Sequence, residues 1–171
     1  MKNFPFEYNG TTLWYSRSIA TNCLVFGKDR NNELYILTVK RGKNVESSPD
    51  MYCIPGGFLD FDEDLITCVI REVHEETGLT LDRKIINLWN INSIPTLSER
   101  QSVIIMYYSV IPGFIEDYDL STEFSEPDEI QEVMFLPISM LLTSDINFAF
   151  NNRQIILDAY NKLFITRNHN Y

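Results

Sequence analysis

The chain has 171 residues, 44% hydrophobic and 13% aromatic, the size of one ordinary globular domain with enough apolar side chain to bury a core. A net charge of -10 and a sequence pI near 4.6 set up a field that repels long polyanions. That disfavours extended nucleic acid and anionic membrane surfaces as partners, whereas a small anion met through metal ions stays open.

The N-terminal MKNFPFEYNG lacks the apolar run of about 7 to 15 residues that a signal peptide needs. Val103 to Ile111 stops far short of the roughly 18 apolar residues of a membrane span, so a soluble, cytoplasmic protein is expected. Trp14, Tyr15 and Arg17 then precede what reads as the first strand, SIATNCLVFG. The turn-forming DRNN joins it to ELYILTVKR as a hairpin ending near Arg41, and the polar loop GKNVESSPD follows. Cys23, Cys53 and Cys68 form no CxxC pair and read as reduced, mostly buried thiols.

From Asp62 to Thr77 the period changes. Ile66, Val69, Ile70 and Val73 recur at three and four residues, which predicts an amphipathic helix capped by Asp60 or Asp62 and stopped by Gly78. IINLWNIN, SVIIMYYSVI and EIQEVMFL read as further strands, with Trp89 in the core. Gly113 to Glu129 is acidic and without apolar period, a loop long enough to be functional or mobile. Asn151 or Asn152 caps a closing helix with the stripe Ile155, Ile156, Ala159 and Leu163. Strands on both sides of one helix, with another at the end, predict a mixed sheet covered on two faces within a single domain over residues 1–171.

On the central helix, Glu72, Glu75 and Glu76 fall within an arc of roughly 100° beside the apolar stripe, and His74 points away from it to solvent. Like charges at these spacings cost a helix a few tenths of a kcal/mol per pair in water, and more where the dielectric is lower. Arg71 alone cannot balance three carboxylates. The cluster is either a solvated acidic face or a site for a hard divalent cation such as Mg²⁺, which binds a few carboxylates plus substrate phosphates. Pro55, Gly56 and Gly57 upstream favour the second reading, because absent side chains let a backbone carbonyl approach a ligand.

Gly57, Glu63, Arg71, Glu72, Val73, Glu75, Glu76, Gly78 and Leu79 stand in the order G, five residues, E, seven residues, R-E-aliphatic-x-E-E-x-G-aliphatic. At ordinary residue frequencies the chance of such a match is below about one in a million. The stretch resembles the Nudix box, and the PGG lead-in and the EIQEVMFLP tail extend the resemblance to most of the chain. It implies an αβα sandwich with a central mixed β-sheet, and hydrolysis of a nucleoside diphosphate linked to another moiety with Mg²⁺ or Mn²⁺. It further implies that Glu72, Glu75 and Glu76 bind metal, with the Gly56 carbonyl completing the set and Glu63 in or beside the metal shell. Arg71 would orient a carboxylate. The general base implied is Glu72, or Glu126, Asp128 or Glu129 in the acidic loop.

Pro95, sixteen residues past the box, is in that family a mark of ADP-ribose hydrolysis. Arg100 is then a candidate for a phosphate, and Trp14 with Tyr15, beside the cation Arg17, for stacking an adenine ring; ordinary loop and packing roles are the alternatives. The other readings are hydrolysis of a dinucleoside polyphosphate, a nucleoside triphosphate or a capped RNA end, or a non-catalytic nucleotide sensor. Such sensors usually carry a DNA-binding segment, for which the roughly 35 residues after the last strand are too few. Related ADP-ribose hydrolases are often dimers, so a homodimer stays open.

Overall fold

The computed structural model describes residues 2–97, 101–143 and 145–166. Its spine is β3 (Ile19–Lys28), whose Leu24, Val25 and Phe26 are wholly buried, as befits a strand covered on both faces. Along one edge it pairs in parallel with β8 (Val103–Val110), from Ile19↔Val103 to Phe26↔Val110. Its other edge is shared: β4 (Leu34–Arg41) pairs antiparallel at Phe26↔Ile36, and β6 (Gly56–Phe58) pairs antiparallel at Ala20↔Phe58. Outside these lie β7 (Asn87–Asn92) on β8, and β9 (Ile130–Pro137) and the short β5 (Tyr52–Cys53) on β4.

Successive side chains of β3 face opposite layers. Cys23 and Val25 join Val69 and Val73 of α1 (Leu65–Thr77) in one core cluster. Leu24 and Phe26 join Leu141 of α2 (Ile138–Thr143) and Ile156 and Ala159 of α3 (Asn152–Tyr160) in the other. The result is the expected αβα sandwich around a mixed sheet. All three cysteines are free and buried, and no described helix is long and apolar enough to cross a membrane.

Several local expectations are corrected. The cap of α1 is Asp64, not Asp60 or Asp62: its carboxylate accepts the N–H groups of Ile66 and Thr67 at 3.0 and 2.8 Å and pairs with Arg83 at 2.6 Å. Residues 60–63 instead fold back, so that the Asp60 N–H donates to Glu63 at 3.0 Å. Gly78 ends the helix as read, in the left-handed region at φ 74°. Asn151 stands at the N-terminal cap of α3 without a side-chain cap bond, and Leu163 falls in a wider turn, Asn161–Ile165, beyond it.

Before the first expected strand lies another hairpin. β1 (Phe4–Tyr8) and β2 (Thr11–Tyr15) pair antiparallel around Asn9 and Gly10, both at positive φ as a tight Asn-Gly turn requires. It is a separate two-stranded sheet with exposed aromatic residues, Phe4 and Tyr15 stacked at 5.0 Å. Trp89 is half-buried, edge-on to Tyr108 and beneath the Lys162 ammonium at 4.8 Å.

The acidic segment is irregular apart from a turn at Ile115–Asp117, and it is tied down. Asp117 pairs with Arg30 at 2.7 Å and the Ser121 N–H donates to the Thr77 carbonyl. Phe124 packs on His74 with ring centres 4.6 Å apart, so His74 is sandwiched by the loop instead of merely solvated. Leu37 is wholly buried in the cluster beneath α1. Leu37→Ala should therefore cost about 2–5 kcal/mol through lost burial and the cavity left behind, read as a lower denaturation midpoint at unchanged slope.

Candidate active site

The site begins at the turn between β5 and β6. The Ile54 N–H donates to Asn152 Oδ1 at 2.8 Å, the Pro55 carbonyl accepts the Cys23 N–H at 3.0 Å, and the Gly56 N–H donates to Glu76 Oε2 at 3.0 Å. A Cβ on Gly56 would collide with the Thr21 carbonyl and the Asn22 Cα, and one on Gly57 would strike the Glu72 carboxylate. Backbone on one side and a positive φ of 154° require glycine at position 56, whereas a side chain at position 57 would push the Glu72 carboxylate aside.

Below the turn, Arg71 gathers the acids of α1 and its lead-in. Its guanidinium forks onto Glu63 at 2.6 and 3.1 Å, and donates to Glu72 at 2.8 Å, to Glu75 at 3.0 Å and to the Phe58 carbonyl at 3.0 Å. The fork holds the Glu63 carboxyl down to about 2. Glu72 and Glu76 are displaced the other way: burial raises the first and raises the second well above the ordinary range, despite Arg71 and the Gly56 N–H. Arg71 thus leaves part-buried Glu72 and buried Glu76 with raised proton affinity.

A third element completes the group. The Gly42 N–H donates to the Glu129 carbonyl at 2.6 Å, beside the register shift where β4 meets β9. Half-buried Glu129 is raised by burial and by Glu126, Arg41 opposes the rise, and its charge acts on both Glu72 and Glu76. Glu126 and Asp128 are exposed. Arg41, read from sequence only as a strand end, lowers the proton affinity of Glu76 and Glu129 while its guanidinium lies 5.3 Å from the Phe150 ring and donates to Ser47. Its signal in the sequence was a lone cation where a strand gives way to a polar loop.

Other candidates sit elsewhere. Arg17 directs its guanidinium to the backbone carbonyls of Ser93, Gln101 and Ser102, clamping the β7–β8 connection. Pro95 opens a short turn, Pro95–Leu97, in that connection, and Arg100 lies outside the described residues. Trp14 and Tyr15 are exposed on the N-terminal hairpin.

As the side chains stand, no three His, Cys, Asp or Glu among the described residues converge closely enough to enclose a metal. The donor chemistry nevertheless fits a hard divalent cation: carboxylate oxygens on one helix face, of which those of buried Glu76 and part-buried Glu72 have raised proton affinity. Arg71 would have to yield Glu72 and Glu75 to it and keep Glu63.

A family model described as the NUDIX domain matches residues 16–159. The chain belongs to the NUDIX family. Members of this family generally use a divalent metal. The NUDIX chain is 32% identical over 123 residues to the ADP-ribose pyrophosphatase of Methanocaldococcus jannaschii, covering 72% of this chain and 64% of that one. It is 29% identical over 123 residues to the NAD-capped RNA hydrolase NudC of Vibrio parahaemolyticus, covering 70% of this chain and 40% of that one. It therefore spans less than two thirds of either relative. In fold it resembles the NUDIX domain of Shewanella oneidensis NrtR complexed with ADP ribose, with a TM-score of 0.71 at 20% identity over 87% of this chain and 90% of that one. The β1–β2 hairpin precedes the matched stretch.

The two directions of shift predict a pH signature. Glu63, lowered from 4.5 to about 2, stabilises the fold above 4.5 and ceases to as pH falls towards 2. Glu76, raised well above 4.5, contributes fully to folding below 4.5 and loses that contribution as pH rises through its raised folded-state value. In chelator, Glu76→Gln should melt higher than wild type at pH 7, with the advantage shrinking at pH 4. Calorimetric melts of both proteins at the two pH values check it.

Proposed function

We propose that this NUDIX protein hydrolyses the pyrophosphate of a nucleoside diphosphate linked to another moiety, ADP-ribose or a similar nucleotide sugar foremost. The observation that carries the reading is a pair of carboxylates with raised proton affinity, buried Glu76 and part-buried Glu72, beside a turn in which backbone leaves Gly56 no room for a side chain. Glu72, Glu75 and Glu76, with the Gly56 carbonyl, hold Mg²⁺ or Mn²⁺. When bound, such a cation neutralises pyrophosphate oxygens and acidifies a water for in-line attack.

The chain's own residues do the rest. Arg71, anchored by the Glu63 fork, orients the carboxylates of Glu72 and Glu75 until the cation takes them; that fork supports a place for Glu63 beside the metal shell. Glu129 receives the proton of the attacking water. Its burial raises its proton affinity towards the working pH, which suits a base, whereas Glu126 is exposed. Water adds to one phosphorus, the bond to the bridging oxygen breaks, and the second phosphate departs with that oxygen.

The substrate class is supported by the ADP-ribose pyrophosphatase relative and by Pro95. The second reading, cleavage at an NAD-capped RNA end, is favoured by the likeness to NudC. Both substrates hold the same adenosine–pyrophosphate–ribose unit, and a net charge of -10 opposes the RNA beyond it.

Incubation of the protein with ADP-ribose, NAD, a dinucleoside polyphosphate and an NAD-capped oligonucleotide in Mg²⁺, with products separated by chromatography, decides among these. AMP and ribose 5-phosphate from ADP-ribose are expected. Tight binding of ADP-ribose with no product over hours would make the protein a sensor. Glu76→Gln should stay folded and lose activity about a thousandfold, equivalent to roughly 4 kcal/mol in the transition state, and unchanged turnover would defeat the metal assignment.

A further inference from the structure

Asn152 is 1% exposed, one of few polar side chains so deeply buried, and the chemistry above makes no use of it. It is the first residue of α3, yet its side chain turns away from its own helix. Oδ1 accepts the Ile54 N–H at 2.8 Å, and Nδ2 donates to the Phe150 carbonyl at 3.4 Å. Ile54 lies between β5 and β6 and is itself buried, so without Asn152 its N–H would lose this partner in an apolar setting, a costly loss.

The lead-in to α3 is built to deliver that acceptor. The Tyr52 N–H donates to the Asn147 carbonyl at 2.9 Å and the Ala149 N–H to the Tyr52 carbonyl at 2.8 Å, which ties the segment to β5. Phe150 and Asn151 then both adopt positive φ, 54° and 61°, a conformation that non-glycine residues take rarely and that persists where surroundings over-determine it. Ile54, Pro55 and Gly56 are consequently each held by a different element: α3 through Asn152, β3 through Cys23 and α1 through Glu76.

We propose that Asn152 is a positioning residue for the active site, fixing the Ile54–Gly56 turn so that Gly56 meets Glu76 and thereby setting the affinity of the site for its divalent cation. The effect on the cation rests on the metal-site reading above; the effect on the turn does not. It acts across 98 residues of sequence through one backbone hydrogen bond, outside the box itself.

Asn152→Leu keeps the branched shape and removes the acceptor, and Ile156→Val perturbs the same helix in the apolar core. Hydrogen exchange of the Ile54 and Gly56 amides is measured without metal, and Mn²⁺ affinity by calorimetry. Asn152→Leu should speed both exchanges and weaken Mn²⁺ binding by about tenfold each, the low end of what losing an outer support costs a metal site. Ile156→Val should retain wild-type values within about threefold. Should Asn152→Leu not fold, Asn152→Ala carries the same readouts. Wild-type exchange and affinity in the acceptor-free variant overturn the proposal, as does an equal loss in Ile156→Val. Absence of Mn²⁺ binding by the wild type would defeat the metal-site reading, and exchange at Ile54 and Gly56 would still decide the role of Asn152.

Discussion

The structure depends on one guanidinium holding together more negative charge than it can neutralise. Arg71 reaches Glu63, Glu72 and Glu75 at once, and Glu76 lies buried beyond it on the Gly56 N–H. The fork onto Glu63 is a strong charge-assisted pair, whereas burial leaves Glu72 and Glu76 with raised proton affinity. A fold that tolerates such carboxylates carries a local cost that an oxygen-seeking cation can offset. That imbalance, more than the number of acids, distinguishes the site from the rest of an acidic surface.

The sandwich holds the imbalance in place. β3 supplies two faces, one for α1 and one for α3, and its N-terminal half receives β6 at Thr21↔Gly57. Helix, turn and the Glu129 strand end converge because β4 and β6 share the same edge of β3 and β9 follows β4. The acidic loop cannot swing freely, since Ser121 and Phe124 dock it on the box helix and Gly42 fixes its far end. The remote helix α3 takes part through Asn152, so the layer opposite α1 also reaches the turn that α1 uses.

What could be read in advance followed local rules. The stripe Ile66, Val69, Ile70 and Val73 made the helix legible, and the spacing of Glu72, Glu75 and Glu76 made their common face legible, because i,i+3 and i,i+4 neighbours share a face in any helix. The Asn9-Gly10 turn is equally local, and it pairs the strand that carries Trp14 and Tyr15 with Phe4–Tyr8 as a tight hairpin. Asp64 displaced Asp60 and Asp62 as the cap because Glu63 had to fold back to Arg71, a constraint set eight residues later. Arg17 is a substrate-binding candidate by its place beside Trp14 and Tyr15, but its guanidinium clamps three carbonyls of a connection more than seventy residues away.

The sequence by itself determined the family, the layered α/β class and the acids of the central helix, since each rests on residue type at fixed spacing along one segment. Only the tertiary structure decided that Glu63 serves Arg71, that Glu129 and Arg41 stand with the helix carboxylates, and that Asn152 holds the glycine turn. These relations depend on burial and on hydrogen bonds between strands and helices distant in the chain. No local periodicity encodes the dielectric around a carboxylate or the partner of a buried N–H.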